Sequence, residues 1–562
     1  MAPATLANLP ASPGFILAAV LVACAALLSL PLVLPLGPMY WDLALYFDAE
    51  RRMAAGQRPL LDFLTPVGPL GYWLFSGVSE VFPRSQPLLA AQWSTLLVTA
   101  PPMFLILREV DHAARPAALG LLLPFLVFQL LPINVEQYSF FPGLDGFGIY
   151  NRQASIVLYV LTAALVFLRE RRLVTGILVW TMLALLMLKV TGFLAGGLVA
   201  LFALFAGRLA LRQALLAAGL ACLVLLVVEL ASGLVSAYVE SIAALVAINA
   251  GGILPRFLQA GSLHLDIVAA GTALAATLLW LERAEIRAAF GDLLRERNWA
   301  ALNRLLDRDA AWLAATMAAG LFLETQNTGG QGFIFVWPVL LAILLRWLGR
   351  SGRGALVVCG LVAATAILPL ETVLQRVGRT LLAQINYEQV PHRHLGRLGQ
   401  VSQHPEVIAR ARAMQEIYAA KPDTFQMIAD RGLLPGQSLY SELDFQIGWL
   451  LAIDNAISAI LAHEARTGSR FESIMSLNFA NPFPYLMGRG SVRGLPIGGD
   501  PFRAVPEPDA QTLVAIATAD LVLYPRCPIT VANMALRKNY APALAGRREI
   551  TLGACWTGYV KA

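Results

Sequence analysis

Long apolar runs fill most of the first 370 residues and constrain the fold more than any other feature of the sequence. A membrane-spanning helix needs roughly 20 mostly apolar residues. Of the 562 residues, 57% are hydrophobic and 14% are charged, whereas a soluble domain carries about 25% charged residues. The sequence therefore predicts a multi-pass α-helical membrane protein, whose first partner is the lipid bilayer.

Eleven apolar runs are predicted to form spanning helices. The first run is longer than the apolar core of a signal peptide and is preceded by no lysine or arginine, so we expect it to be retained. The eleven runs cover residues 14–36, 87–107, 116–132, 153–168, 173–189, 191–207, 211–231, 263–281, 309–323, 332–346 and 355–370.

Arginines between these runs predict the orientation of the chain. With the N-terminus in the cytoplasm, the inner loops hold sixteen arginines and the outer loops six. Cytoplasmic loops carry an excess of Lys and Arg, and an odd number of spans then puts the C-terminal tail outside. The net charge of +6 is accordingly attributed to the arginines that set the membrane topology. It is not taken to predict a nucleic-acid partner.

The tail differs in composition from the apolar region. We expect three parts: a membrane domain over residues 1–370, an interfacial connector over 371–400 and an extracytoplasmic α/β domain over 401–562. The helices and strands predicted in the last part cover residues 404–418, 454–466, 473–479, 519–524 and 549–560. Helices alternating with strands indicate a small α/β domain.

Two of the five cysteines, Cys527 and Cys555, lie in this tail. They would be able to pair if the tail faces an oxidising compartment. The sequence leaves the pairing open.

The first outer loop contains the most informative pattern. Residues from Asp42 to about Ala55 form an amphipathic pattern that Gly56 ends, as expected of a helix lying in the membrane interface. Asp42 falls where the chain leaves the bilayer. It is a candidate for chemistry, and equally a candidate for a simple cap of the helix.

This loop resembles the first outer loop of the polyprenyl-phosphate-dependent glycosyltransferases with the membrane-embedded C-type fold. Protein O-mannosyltransferases and the lipid A aminoarabinose transferase belong to that group. The matching residues are Asp42, Gly56, Asp62-Phe63, Thr65-Pro66 and Gly68-Pro69-Leu70, with weaker agreement at Tyr150-Asn151-Arg152, Lys189-Val190-Thr191-Gly192 and Gln326-Asn327-Thr328. Many relatives carry Asp-Glu at the first motif, whereas Leu43 follows Asp42 here, so a second carboxylate stays unassigned.

The resemblance implies an inverting transfer of a sugar from a polyprenyl-phosphate donor to a glycan, lipid or protein acceptor of the bacterial envelope. The enzyme would lie in the inner membrane and act at its periplasmic face. Such a reaction needs a base to take the acceptor's proton and cations to hold the phosphate. Asp42 is the candidate base, and Arg152 and Lys189 are the candidate phosphate ligands. The candidate substrate or acceptor contacts are Asp62, Glu136, Asp145, Tyr150, Asn151 and Glu324. No organic cofactor is implied, and a divalent metal is left open because family members differ.

Structural interpretations compete with these roles. Arg152 and Lys189 would also serve as snorkelling anchors, and Asp62 as a turn residue. Asp307-Arg308-Asp309 fits a helix start better than a metal site. His392 and His394 lack a third ligand.

Two other functions fit the same chain. One is a transporter or flippase for a lipid-linked or polar solute, which would carry ionisable or broken-helix sites within the membrane. The other is a non-enzymatic envelope assembly protein that uses its tail for interactions and would tolerate neutralisation of Asp42.

Overall fold

The computed structural model describes residues 12–134, 140–249, 253–325, 331, 333–434 and 442–561. Its helices are α1 (Pro13–Leu28), α2 (Leu43–Ala54), α3 (Leu70–Val81), α4 (Pro87–Trp93), α5 (Leu96–Ala113), α6 (Arg115–Leu130), α7 (Ile149–Phe167), α8 (Arg171–Leu188), α9 (Val190–Phe205), α10 (Leu211–Ser232), α11 (Leu234–Ile248), α12 (Ile253–Leu263), α13 (Leu265–Leu281), α14 (Arg283–Glu296), α15 (Trp299–Leu306), α16 (Asp309–Glu324), α17 (Trp337–Trp347), α18 (Arg353–Ala383), α19 (Pro405–Ala420), α20 (Pro422–Asp430), α21 (Leu443–Thr467), α22 (Phe483–Met487), α23 (Ala510–Thr518), α24 (Val531–Asn539) and α25 (Ala541–Leu544). Its strands are β1 (Leu34–Pro35), β2 (Glu388–Gln389), β3 (Val401–Gln403), β4 (Ile474–Ser476), β5 (Leu521–Pro525), β6 (Arg548–Thr551) and β7 (Trp556–Val560).

Helices occupy all eleven predicted spans, and the chain is mostly helical with small sheets. Within the described residues, five helices are long and apolar enough to cross a membrane, or up to seven if each of two bent pairs is one span. One pair, α4 and α5, bends by 41°, and the other, α12 and α13, bends by 90°. The membrane class is therefore supported, while the count of eleven spans stays a prediction.

Two predicted helix ends differ from the structure. Helix α1 ends at Leu28 rather than near residue 36, because Pro31 disfavours helical geometry at the residue before it and the chain then extends into β1. Helix α18 continues past residue 370 to Ala383. The polar side chains in its last turns end the apolar run without ending the helix, since most of them are good helix formers.

The C-terminal region holds a four-stranded sheet in the order β4-β5-β7-β6. Strand β4 runs parallel to β5, and β7 runs antiparallel to both β5 and β6. The single strand predicted over 549–560 is thus a hairpin, whose turn contains Gly553 at φ +68°. Cys527 and Cys555 form a disulfide beside this hairpin.

Helix α21 is long and apolar enough to pass as a span. Fourteen of its 25 residues are buried within the protein, and Trp556 Nε1 donates to the carbonyl of Ala452 at 3.0 Å. A helix that is apolar all round is buried in the core of a large protein or spans a membrane. The contacts of α21 make it the central helix of the C-terminal region.

A second small sheet joins the first outer loop to the region after α18. Strand β1 pairs in parallel with β3, with Leu34 opposite Val401 and Pro35 opposite Ser402. Strand β2 covers the other edge of β3. This sheet fixes the point where the chain leaves α1, and thereby the position of Asp42 a few residues later.

Candidate functional site

Asp42 closes a short turn between β1 and α2. Met39 has a left-handed backbone at φ +56°, which is uncommon for a residue other than glycine, and the N–H of Asp42 donates to the Met39 carbonyl at 3.1 Å. The Asp42 side chain is buried and makes no capping hydrogen bond to α2. Its Oδ1 atom has no hydrogen-bond partner within the described part of the chain. The interpretation of Asp42 as a helix cap is therefore wrong.

The surroundings of Asp42 change its acidity. Burial raises the pKa of Asp42 to about 8, and the positive charge of Arg152 offsets part of that increase. A carboxyl group with a pKa near the working pH is well matched to accepting a proton. Asp42 and Arg152 thus lie within electrostatic range of each other.

Arg152 is fully buried near the start of α7. Its guanidinium donates to Gln92 Oε1 at 3.1 Å, to Asn134 Oδ1 at 2.8 Å, and to the carbonyls of Phe147 and Asp145 at 2.8 and 3.0 Å. Through these bonds the buried guanidinium fixes the loop before α7. They exclude the interpretation of Arg152 as a snorkelling anchor. A phosphate that bound Arg152 would have to compete with the neutral groups that already accept hydrogen bonds from its guanidinium.

Asp145 is equally buried, and its carboxylate already has partners. It accepts from the backbone N–H of Asn134 at 2.5 Å and forms an ion pair with Arg376 at 3.0 Å. This arrangement makes Asp145 an anchor of the loop rather than an open contact for an acceptor. Glu136 and the motif Gln326-Asn327-Thr328 lie outside the described residues.

Lys189 lies between α8 and α9, with its side chain buried. Its Nζ donates to Asn151 Oδ1 and sits 5.3 Å from the centre of the Tyr150 ring. Glu324 is near enough to interact electrostatically with Lys189, and His264 Nε2 lies 3.9 Å from Glu324 Oε2. The structure thus brings four predicted site residues together, namely Tyr150, Asn151, Lys189 and Glu324.

Glycines allow the loops beside Asp42, Asp145 and Lys189 to approach one another closely. A Cβ on Gly68 would lie 2.0 Å from the carbonyl oxygen of Met187, and the Gly68 N–H donates to the Leu188 carbonyl at 3.0 Å. A Cβ on Gly146 would lie 2.5 Å from the Met39 carbonyl oxygen. The first contact places the Gly-Pro-Leu motif against Lys189, and the second places the loop of Asp145 beside the turn of Asp42.

Asp62 does not join this group in any contact within the described residues. Its Oδ2 accepts from the backbone N–H of Arg58 at 2.7 Å, as a turn residue would. Its carbonyl accepts from Gly494 at 2.7 Å, and Arg493 Nη1 lies 3.8 Å from Oδ1. Asp62 therefore helps to dock the first outer loop on the C-terminal region.

Several polar residues near Asp42 and Arg152 were not predicted from the sequence. The rings of Tyr46 and Tyr72 lie 4.9 Å apart, and a Cβ on Gly71 would meet Gln153 Oε1 at 2.9 Å and Tyr46 Oη at 3.6 Å. Gln92 holds Arg152. Glutamines within apolar runs are a usable signal, because a polar group placed at membrane depth is costly unless it serves a function or has a partner.

No group of three or more His, Cys, Asp or Glu suited to a metal is gathered among the residues that the structure describes. Both carboxylates of the Asp-x-Asp pattern form ion pairs. Asp307 pairs with Arg208 at 2.8 Å, and Asp309 pairs with Arg346 at 2.7 Å. His394 Nε2 lies 3.0 Å from Ser458 Oγ.

No family model and no curated protein matches this sequence. Among solved structures, the chain is similar to the crystal structure of ArnT from Cupriavidus metallidurans in the apo state. The identity is 13%, the match covers 97% of each chain, and the TM-score is 0.39.

Proposed function

We propose that this chain is a membrane glycosyltransferase that moves a sugar from a polyprenyl-phosphate donor to an acceptor in the cell envelope, with Asp42 as the base. The observation that carries the proposal is the state of Asp42. It is a buried carboxyl with a pKa raised to about 8, an oxygen without a hydrogen-bond partner among the described residues, and a cation within electrostatic reach. A carboxyl group with only a structural role would be expected to have its hydrogen bonds satisfied.

In the proposed reaction, an acceptor hydroxyl oxygen attacks the anomeric carbon of the donor sugar. The bond from that carbon to the phosphate oxygen breaks, and polyprenyl phosphate leaves with the electron pair. The hydroxyl proton passes to a carboxylate oxygen of Asp42. Attack opposite the leaving group inverts the anomeric carbon.

Lys189 supports the phosphate end of this proposal. It ends α8, is buried, and its ammonium group has only one hydrogen-bond partner, Asn151, among the described residues. An ammonium group has three donors, so two are left for a phosphate oxygen. Arg152 would contribute through its charge at longer range, because its described hydrogen bonds hold it to the loop before α7.

The proposed location is the periplasmic face of a bacterial inner membrane. The excess of arginines in the loops predicted as cytoplasmic supports it. So does the disulfide between Cys527 and Cys555, because disulfides persist in oxidising compartments.

The test compares membranes from strains that carry the unchanged protein, Asp42→Asn or Asp62→Asn. Mass spectrometry of envelope lipids, glycans and proteins would identify the transferred sugar, and transfer from the matching lipid-linked donor would then be timed. We expect Asp42→Asn to abolish transfer with normal insertion, and Asp62→Asn to retain it. Retained transfer in Asp42→Asn would exclude Asp42 as the base.

One observation favours the alternative of a transporter or flippase. His264 sits at the 90° break between α12 and α13 and lies 3.9 Å from Glu324, and broken helices with ionisable groups are a feature of transporters. Purified protein in liposomes distinguishes the two. A covalent sugar product supports the transferase, and movement of the lipid-linked solute without any product supports the transporter.

A further inference from the structure

A cluster of arginines lies at the end of the membrane helices opposite to Asp42. Arg376, on α18, pairs with Asp145 in the loop beside the turn of Asp42. Arg353 begins the same helix, 23 residues before Arg376, which corresponds to about 35 Å at 1.5 Å per residue. The hydrocarbon core of a bilayer is about 30 Å thick. Arg353 therefore lies near the other membrane boundary, which the distribution of arginines predicts to be cytoplasmic.

The ends of α13 and α18 meet at this boundary. A Cβ on Gly354 would lie 3.2 Å from Cδ2 of Leu281, so the last residue of α13 packs against the first turn of α18. Arg283 follows Leu281 by two residues, and Arg353 precedes Gly354. Arg350 lies in the turn that leads into α18. Three arginines thus surround one junction between two membrane helices.

Two of these arginines stack on tryptophan rings. The guanidinium carbon of Arg283 lies 4.3 Å from the centre of the Trp280 ring, and that of Arg350 lies 4.3 Å from the centre of the Trp347 ring. Arg283 Nη1 also donates to the Trp280 carbonyl at 2.8 Å. A guanidinium group has five N–H donors, so stacking orients each group and leaves most of its donors for a ligand.

The charge at this junction is positive after the carboxylates around it are counted. Residues 282–309 and 346–353 together hold nine arginines and six Asp or Glu residues. Each of these six carboxylates already lies within 3.4 Å of an arginine other than Arg283, Arg350 and Arg353, and those three form no ion pair in the ranges that the structure describes. The other loops predicted at this boundary add seven arginines and three carboxylates, so they do not cancel the excess.

Exposed apolar side chains lie next to the arginines on both helices. Trp280, near the end of α13, is 66% exposed, and Leu356, in the first turn of α18, is 75% exposed. Leu279 and Val357 beside them are exposed as well. These side chains lie on the membrane side of the arginines, because both helices extend from the junction into the bilayer. The junction thus combines cations at the boundary with an apolar surface next to them.

We propose that the junction of α13 and α18 binds an anionic phospholipid of the inner leaflet through Arg283, Arg350 and Arg353. Arginine forks bind phosphate oxygens in pairs, and basic pockets between membrane helices on the cytoplasmic side suit the head group of cardiolipin, which carries two phosphates. The exposed apolar side chains would contact its acyl chains. A zwitterionic phospholipid has no net charge and adds an ammonium group that the arginines repel. The inference does not depend on the proposed transferase function.

The experiment measures lipid binding by native mass spectrometry of the full-length protein in detergent, without donor. The probes are cardiolipin, phosphatidylethanolamine and, as a soluble competitor, glycerol 3-phosphate. The site variant is Arg283→Gln with Arg350→Gln and Arg353→Gln. Its matched control removes the same charge at the same predicted boundary, from three other exposed arginines, and consists of Arg171→Gln, Arg172→Gln and Arg212→Gln.

We expect cardiolipin to bind the unchanged protein and the control variant equally, and the site variant at least tenfold more weakly. Phosphatidylethanolamine should bind all three proteins at least tenfold more weakly than cardiolipin binds the unchanged protein. Equal cardiolipin binding to the unchanged protein and the site variant, or an equal loss in the control, would overturn the proposal. Displacement of cardiolipin by an equal concentration of glycerol 3-phosphate would assign the arginines to a soluble phosphate and overturn it as well.

Two further variants keep the result interpretable. Arg353→Gln alone removes a side chain without a hydrogen bond or ring contact in the described part of the chain, so it decides the question if the triple variant does not fold. It should weaken cardiolipin binding about fivefold, the equivalent of about 1 kcal/mol for one cation near a membrane surface, and unchanged binding would contradict the proposal. Asp42→Asn should bind cardiolipin like the unchanged protein whether or not it transfers sugar, which separates this site from the proposed reaction.

Discussion

Trp41 donates its backbone N–H to the side-chain oxygen Oε1 of Gln446 at 2.9 Å. The Trp41 ring also packs against Phe445, Trp449 and Phe479, at centroid distances of 5.2, 6.4 and 4.7 Å. The residue next to the candidate base is thus held by the C-terminal region. The position of Asp42 therefore depends on a part of the chain some 400 residues away.

We expect Gln446→Leu to lower the transfer rate about tenfold with little change in donor KM. The substitution leaves the buried N–H of Trp41 without its acceptor, which costs about 1–3 kcal/mol, and small displacements of a reacting group are costly in rate. Steady-state kinetics with the lipid-linked donor would measure this. Gln426→Leu, on the exposed helix α20, is the control, and equal rates in both variants would contradict the expectation.

The pKa of Asp42 predicts the pH dependence of transfer. The base acts as the carboxylate, so kcat/KM should rise about tenfold per pH unit below 8 and level off above it, following the pKa of about 8 that burial gives. Initial rates between pH 5.5 and 9.5 would provide the profile. A midpoint near 4, the ordinary range of an aspartate, would show that another group limits the reaction.

The same shift predicts how Asp42 affects stability. Its pKa is 3.8 in the unfolded chain and about 8 in the folded protein, so the folded state holds the proton more tightly. Stability is then lost as the pH rises from about 4 to 8. Asp42→Asn should melt at a higher temperature than the unchanged protein, by a margin that widens from about pH 4 to 8 and is constant above that range. Thermal unfolding in detergent would measure the margin, and a constant difference would argue against burial as the cause.

Arg152 and Lys189 should respond differently to substitution. Arg152→Met removes four hydrogen bonds and leaves buried acceptors unsatisfied, so we expect a loss of at least about 3 kcal/mol of stability at about 1–3 kcal/mol per group. Lys189→Met removes one described hydrogen bond and should mainly raise the donor KM. Chemical denaturation and donor titration separate the two effects. A stable Arg152→Met protein with raised donor KM would reverse the assignment.

Gly68→Ala should reduce transfer at least tenfold. The new Cβ would lie 2.0 Å from the Met187 carbonyl oxygen, so the backbone must move and shift the segment that carries Lys189. Gly77→Ala is the matched control, because nothing lies within 4 Å of its Cβ on α3 and alanine favours the helix by about 0.5–1 kcal/mol. Donor-dependent activity and melting temperature should fall together in the first variant and not in the second.

Local patterns predicted the elements of this fold better than its contacts. The apolar runs predicted the helices, and the amphipathic pattern after Asp42 predicted α2 with its end at Gly56. Burial of α2 beneath the C-terminal region was not predicted. Three of its polar side chains bond to distant partners, as in the bond from Arg52 Nη1 to the Val492 carbonyl at 2.7 Å. A single sequence does not show such pairs.

The candidate site was predicted in part for the same reason. Asp42, Lys189 and Asn151 each lie at or within three residues of a helix end, and the apolar runs predicted where those ends fall. Arg376 falls in the predicted connector, because the residues around it are polar. Its ion pair with Asp145 joins segments 231 residues apart. Contacts of that kind depend on the packing of whole helices and have no local signal.

The pairing of β1 with β3 has a consequence for how the protein matures. Leu34 is synthesised long before its partner Val401. The interval between the synthesis of Trp41 and that of Gln446 is longer still. Insertion of the early helices would therefore precede the contacts that hold the segment of Asp42 in place. A nascent or truncated polypeptide would sit in the bilayer before Gln446 exists, so the segment of Asp42 would reach its final position only after the first turn of α21 has been made.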